Sequence, residues 1–111
     1  MTIIITGAKG IIGKQLTRIL AKDYPIIAVS RRRGQFDLND GIFEAGVDLL
    51  NFEASLKQIK EICLTHNLTP DCLIHLAAQT CNPNDVNDLN VLLNNTKLAY
   101  NVGLLGKELG L

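Results

Sequence analysis

Short apolar runs alternate with longer amphipathic stretches along the whole chain. Thr2 to Thr6 is an unbroken, largely β-branched run, the pattern of a strand covered on both faces of a parallel sheet. Gly7 to Gly13 then punctuates the chain. From Ile12 to Lys22 the apolar residues Ile12, Leu16, Ile19 and Leu20 recur at helical spacing, with Lys14, Arg18 and Lys22 turned outward. Pro25 ends that segment, and Ile26 to Ser30 reads as a second buried strand. Arg31 to Gly41 is polar and loop-like, and Phe43 to Asp48 supplies a third strand. Ala54 to Leu64 reads as a helix, with Leu56, Ile59, Ile62 and Cys63 on one side and Lys57, Lys60 and Glu61 on the other. Thr69-Pro70-Asp71 breaks it, and Cys72 to Ala77 forms a fourth strand. The polar stretch Gln79 to Asp88, with Pro83 inside, leads to a last helix from Leu89 to Leu109.

Strands and helices in this alternation imply a parallel sheet with right-handed crossovers. The expected spatial order is 3-2-1-4, a partial Rossmann-type doubly wound α/β fold with flanking helices. That order leaves the apolar fourth strand at an edge, where it invites association. Either another polypeptide segment covers it, or these residues are the front part of a larger protein. The last helix carries two apolar stripes. Leu89, Leu92, Leu93, Thr96, Ala99, Tyr100 and Gly103 follow one face; Val91, Leu98, Val102, Leu105 and Leu109 follow the other. One stripe covers the sheet, and the other awaits a second partner.

Composition narrows the function. A chain of 111 residues fits one domain. Its 11 Lys and Arg balance 11 Asp and Glu, which argues against a nucleic-acid coat or a polybasic membrane anchor. With 47% hydrophobic and 20% charged residues, the composition is that of a globular protein. No apolar run approaches the ~20 residues that cross a bilayer. The N-terminus has no basic region ahead of its apolar stretch, so no secretory signal is expected and a soluble, cytoplasmic protein is. Cys63, Cys72 and Cys81 include no pair two residues apart, which favours reduced structural thiols. His66 and His75 lack neighbours that would build a metal site, and His75, inside an apolar run, reads as a satisfied core histidine.

The sharpest chemical signal is Thr6-Gly7-Ala8-Lys9-Gly10-Ile11-Ile12-Gly13, which joins a buried strand directly to a helix. Gly7 permits the tight turn, Gly10 leaves room for a pyrophosphate, and Gly13 lets helix and strand pack closely. The helix N-terminus adds free N–H groups and a positive dipole end. An acidic residue closing the second strand would bond the adenosine ribose hydroxyls. This chain instead has Ser30-Arg31-Arg32-Arg33, with no carboxylate until Asp37. Arginine forks suit a 2′-phosphate in charge and shape, and Lys9 stands ready on the other side. NADP is therefore expected over NAD.

The spacing Gly-x-x-Gly-x-x-Gly, with His75-Leu76-Ala77-Ala78 after the fourth strand, resembles the extended short-chain dehydrogenase/reductase (NAD-dependent epimerase/dehydratase) family. Val47-Asp48-Leu49 and the pair Asn95 and Asn101 look similar as well. The resemblance spans essentially all 111 residues but only the N-terminal, cofactor-binding half of a family member. It implies that Ile11 and Ile12 line the pyrophosphate turn, and that Asp48 and Leu49 hold the adenine. It also implies that Leu76, Ala77, Ala78 and Gln79 run alongside the ribose and nicotinamide, with Asn95 near the nicotinamide end. The last helix commonly packs in a dimer's helix bundle in that family, so a homodimer through this helix is one expectation. Burial by the rest of the same chain is the other.

The family moves a proton with the tyrosine of a Tyr-x-x-x-Lys motif. Here Tyr24 is followed at the fourth position by Ala28, and Tyr100 by Leu104. The catalytic and substrate half is absent, so residues 1–111 are expected to hold a cofactor without turning it over, and no catalytic residue is assigned. Thr80, in the loop after the fourth strand, reads as a turn residue. Two functions compete. One is the NADP-binding portion of an epimerase, dehydratase or reductase resembling those that act on nucleotide sugars by hydride transfer at a sugar carbon. The other is a noncatalytic NAD(P)-binding or subunit-interaction protein, or a truncated inactive reading frame.

Overall fold

Thr2–Thr6 (β1) is buried at every residue and pairs in parallel on both sides. It lies at the centre of a four-stranded parallel sheet of order β3-β2-β1-β4, as the alternation of elements predicted. The computed structural model describes residues 1–79 and 89–111. The remaining strands are Ile26–Ser30 (β2), Ile42–Gly46 (β3) and Pro70–His75 (β4). The helices are Ile11–Leu20 (α1), Phe52–His66 (α2) and Leu89–Glu108 (α3). A single 3-10 turn, Leu38–Asp40, interrupts the β2–β3 connection.

The period-two alternation of β1 divides the core between the two faces of the sheet. Ile3 and Ile5 join Ile26, Ala28 and Ile42 under α1, where Leu16, Leu20, Tyr24 and Phe36 cover them. Ile4 joins Ile27, Val29 and Ala45 on the opposite face, packed with Ile59 of α2 and Leu98, Val102 and Leu105 of α3. Helices on both faces explain why β1 and β2 read as continuous apolar runs rather than as alternating ones.

Several boundaries and one helix phase differ from the sequence expectation. The buried residues of α1 are Gly13 and Thr17, whereas Ile12 and Ile19 are 71% and 59% exposed. The sheet-facing stripe is therefore 13, 16, 17 and 20. Gly13 and Thr17 add nothing to an apolar pattern, yet they sit where the helix approaches the sheet most closely. The strand β3 starts at Ile42 and stops at Gly46, two residues before the expected end. The edge strand β4 begins at Pro70, where a missing N–H is tolerated. The α2 helix is longer at both ends than the apolar pattern required, because Asn51 Oδ1 accepts the Ala54 N–H at 3.1 Å and Asn67 closes the helix in the left-handed region at φ 55°. The segment containing Thr80, Cys81 and Pro83 lies outside the described residues.

Candidate functional site

The carboxyl ends of the strands open onto a cavity of about 420 Å³, on the side of an open α/β sheet where ligands bind. Its walls come from three corners. Gly7, Lys9 and Gly10 follow β1; Val29, Ser30, Arg31, Val47, Asp48 and Leu49 follow β2 and β3; Leu76, Ala77, Ala78 and Gln79 follow β4, with Leu98 of α3 opposite.

The first corner is shaped by backbone contact. Gly7 stands at φ +68°, and a Cβ there would come within 2.7 Å of the Leu76 carbonyl carbon and the Ala77 nitrogen. A Cβ on Gly13 would meet the Gly7 carbonyl oxygen at 2.0 Å. These two glycines are required by the fold itself. Gly10 differs, since a Cβ there would meet only the Gly7 carbonyl oxygen, at 3.4 Å, and φ −66° suits any residue. The space beside Gly10 is thus left free of protein atoms. Gly10 is also the N-cap of α1, has no side-chain cap, and no acidic residue stands in the first turn. Uncapped N–H groups at a helix N-terminus form an anion site, and the N-cap Gly10 of this one lines the cavity. The residues present fit a diphosphate.

The second corner is polar outside and apolar inside. Asp48 Oδ1 accepts the Leu50 N–H at 3.0 Å, and Ser55 Oγ donates to the Asp48 carbonyl at 3.2 Å. The buried Asn101 donates through Nδ2 to the carbonyls of Leu49 and Leu50, at 2.8 and 3.3 Å. The turn at Asp48 and Leu49 is thereby fastened to α3. Val29, Val47 and Leu98 give it a greasy floor, on which a flat heteroaromatic ring can lie.

The third corner hangs on one hydroxyl. Thr6 Oγ1 accepts the N–H groups of Leu76 and Ala77 at 3.0 and 3.2 Å. Its own proton is then directed at His75 Nδ1, 2.6 Å away. These bonds turn the chain away from the sheet after His75, which is why β4 ends two residues before its expected limit at Ala77. Burial holds the His75 imidazole below its ordinary pKa, which disfavours its charged form, and a proton on Nε2 leaves Nδ1 free to accept from Thr6. The histidine is hydrogen-bonded as expected, but it is half-buried on the edge strand rather than in the core. Asn95 Oδ1 accepts the Gln79 N–H at 2.6 Å while Asn95 Nδ2 donates to the Gln79 carbonyl at 2.9 Å, and Asn94 Nδ2 donates to Gln79 Oε1 at 3.0 Å.

Of the residues singled out from sequence, Gly7, Lys9, Gly10, Ser30, Arg31, Asp48, Leu49, Leu76, Ala77, Ala78 and Gln79 line the cavity. The other five sit elsewhere in detail. The Ile11 and Ile12 side chains project into solvent, at 89% and 71% exposure, so only their backbone belongs to the turn. Arg32 is exposed and off the cavity wall, its carbonyl accepting from Ser30 Oγ at 2.7 Å. Asn95 is not on the wall either; it grips the backbone of Gln79, which is. Gly13 lies beneath the turn. The sequence reading missed Val29 and Leu98, which a hydrophobic pattern assigns to the core, named Val47 only as part of Val47-Asp48-Leu49, and gave no anchoring role to Thr6, whose position just ahead of Gly7 was the available signal.

Among solved structures the chain is similar to a short chain dehydrogenase from Leptospira borgpetersenii with bound NAD+ (TM-score 0.72, 22% identity, 97% of this chain and 43% of that one). It is likewise similar to the L-threonine dehydrogenase of Clostridium difficile (0.69, 26%, 98% and 34%). A third is the UDP-glucose 4-epimerase of Thermotoga maritima with UDP-glucose (0.73, 21%, 100% and 35%). The chain spans less than half the length of each of these proteins. Comparison with curated protein sequences finds no significant match. The pattern of the NAD dependent epimerase/dehydratase family matches residues 3–108, and on that match over nearly its whole length the chain belongs to this family.

Proposed function

We propose that the cavity holds a nicotinamide dinucleotide, NADP in preference to NAD, and that these residues serve as the cofactor half of an epimerase, dehydratase or reductase acting on a nucleotide-activated sugar. The observation that carries this reading is the space at Gly10, kept clear of protein beside an uncapped helix N-terminus. Solved relatives with bound NAD+, NADH and UDP-glucose support the class of cofactor and of substrate. The α1 amides meet the diphosphate, Arg31 and Lys9 meet the 2′-phosphate, and Asp48 and Leu49 flank the adenine. Ala77, Ala78 and Gln79 form the rim beside the nicotinamide, held in place by Asn95. When bound, the cofactor supplies a hydride acceptor or donor. Residues 1–111 hold no Tyr-x-x-x-Lys, so they supply cofactor binding and not the proton-transferring pair. The exposed stripe of α3, including Leu92, Leu93 and Tyr100, is assigned to a homodimer interface. The free thiols of Cys63 and Cys72 suit a reducing cytoplasm.

Calorimetric titration with NADP and NAD tests the reading, with two glycine variants separating site from fold. Gly10→Ala folds normally and loses about tenfold or more in affinity for both cofactors, because its methyl occupies diphosphate space. Gly13→Ala drives a Cβ into the Gly7 carbonyl and destabilises the chain by about 3 kcal/mol. Unchanged cofactor affinity in a folded Gly10→Ala variant would remove the site, and NAD bound as tightly as NADP would remove the stated preference.

A further inference from the structure

The loop after β2 carries three arginines in a row, and only Arg31 lines the cavity. The structure shows how that loop is fixed. At its start Ser30 Oγ donates to the Arg32 carbonyl at 2.7 Å. Beyond Arg33 the chain is held by a residue on another element: Glu44, on β3, accepts the Gly34 N–H on Oε2 at 2.9 Å and the Gln35 N–H on Oε1 at 3.2 Å. Arg33 is held as well. Its side chain lies across Gly46, where an added Cβ would meet Arg33 Cγ at 3.1 Å. With its side-chain amide turned over, the orientation that satisfies both atoms, Gln58 of α2 accepts from Arg33 Nη2 and donates to the Gly46 carbonyl at 3.0 Å. Gly34, at φ +112°, lets two successive amides converge on one carboxylate. Arg31 and Arg32 are therefore a short span fastened at both ends.

We propose that Glu44 is a positioning residue for cofactor selectivity, holding the loop so that Arg31 stays on the cavity wall where a 2′-phosphate would be read. This rests on the cofactor reading above and adds to it. A charge-assisted pair of carboxylate and backbone amides removes the ordering cost that Arg31 would otherwise meet when it engages phosphate. NAD has no 2′-phosphate, so its affinity is indifferent to the clasp. Arg33, occupied by Gln58 and Gly46, contributes through the loop rather than by contact.

The test is calorimetric titration of NADP and NAD into the wild-type chain, Glu44→Ala, Glu44→Gln, Arg31→Ala and the Glu44→Ala/Arg31→Ala double variant. Amide exchange at Gly34 and Gln35 is followed by NMR. In Glu44→Ala, NADP affinity falls about three- to tenfold, the fold-change equivalent of reordering one side chain, while NAD affinity moves less than about twofold. Exchange at the two amides accelerates. Glu44→Gln, which keeps one acceptor oxygen, recovers part of the loss and is the variant to use if Glu44→Ala does not fold. In the Arg31→Ala background Glu44→Ala has no further effect on NADP. Equal loss of both cofactors, no loss of either, or additive losses in the double variant would overturn this inference alone. A wild-type chain that binds neither cofactor, or prefers NAD, would overturn the cofactor reading and this inference with it.

Discussion

The hydroxyl of Thr6 meets three groups at once, two amides and one imidazole, and this fixes the protonation of His75. A hydroxyl has one proton to give; with both amides donating to it, that proton goes to Nδ1, and a second proton cannot occupy that nitrogen without breaking the arrangement. Burial adds to the effect by disfavouring the charged ring. In the unfolded chain histidine titrates near 6.5, and in the folded chain His75 titrates below that. The unfolded state therefore binds more protons as pH falls through this window, and stability is lost from about pH 6.5 downward. The melting temperature is expected to decline between pH 7 and pH 5.5, and His75→Asn, whose amide oxygen can accept from Thr6, to flatten the decline. A decline of equal slope in both proteins would remove His75 as its source. The apolar neighbours of His75 suggested a core residue, but on the edge strand it is only half-buried. Its partner was not legible in sequence, since Thr6 is 69 positions away and only the parallel register of β1 and β4 brings the two together.

At the scale of the element, β1 and β2 were legible residue by residue. Both are continuous apolar runs, β1 ending against a glycine and β2 beginning after a proline. The phase of α1 was not legible, because its sheet-facing positions include a residue with no side chain and one with a hydroxyl. That hydroxyl has a testable consequence. Thr17 is fully buried, and its Oγ1 has no hydrogen-bond partner among the described residues. A buried polar group without a partner costs stability, and an isosteric methyl does not. Thr17→Val is expected to stabilise the chain by about 1 kcal/mol, read as a shift in the urea midpoint at constant slope. A destabilised variant would show that the hydroxyl has an acceptor. The β2–β3 connection was read correctly as a loop, but its clasp was hidden. Glu44 sits in a strand and Gln58 in a helix, and neither local pattern marks them as partners of the arginine run.

At the scale of the molecule, the strand order and the placement of helices on both faces were legible from the alternation of elements. The position of β4 at the sheet edge followed from that order. The division of α3 was legible only as two stripes, and the structure assigns them. Leu98, Val102 and Leu105 face the sheet, whereas Leu89, Leu92, Leu93 and Tyr100 are each more than half exposed. The same helix grips Gln79 through Asn95 and the Leu49 turn through Asn101. It thus touches both lips of the cavity with one side while offering an apolar surface on the other. Thermodynamic reciprocity follows from such an arrangement: whatever factor a neighbour on the outer face lends to cofactor affinity, the cofactor returns to association. A saturating nicotinamide dinucleotide is expected to raise the self-association constant of the chain by about fivefold in sedimentation experiments, and Tyr100→Lys to abolish both association and the cofactor effect on it. Association that ignores the cofactor would separate the two surfaces. A single rigid rod then acts as the beam of a balance, so that ligand occupancy and assembly report on each other across the molecule without any new contact forming between them.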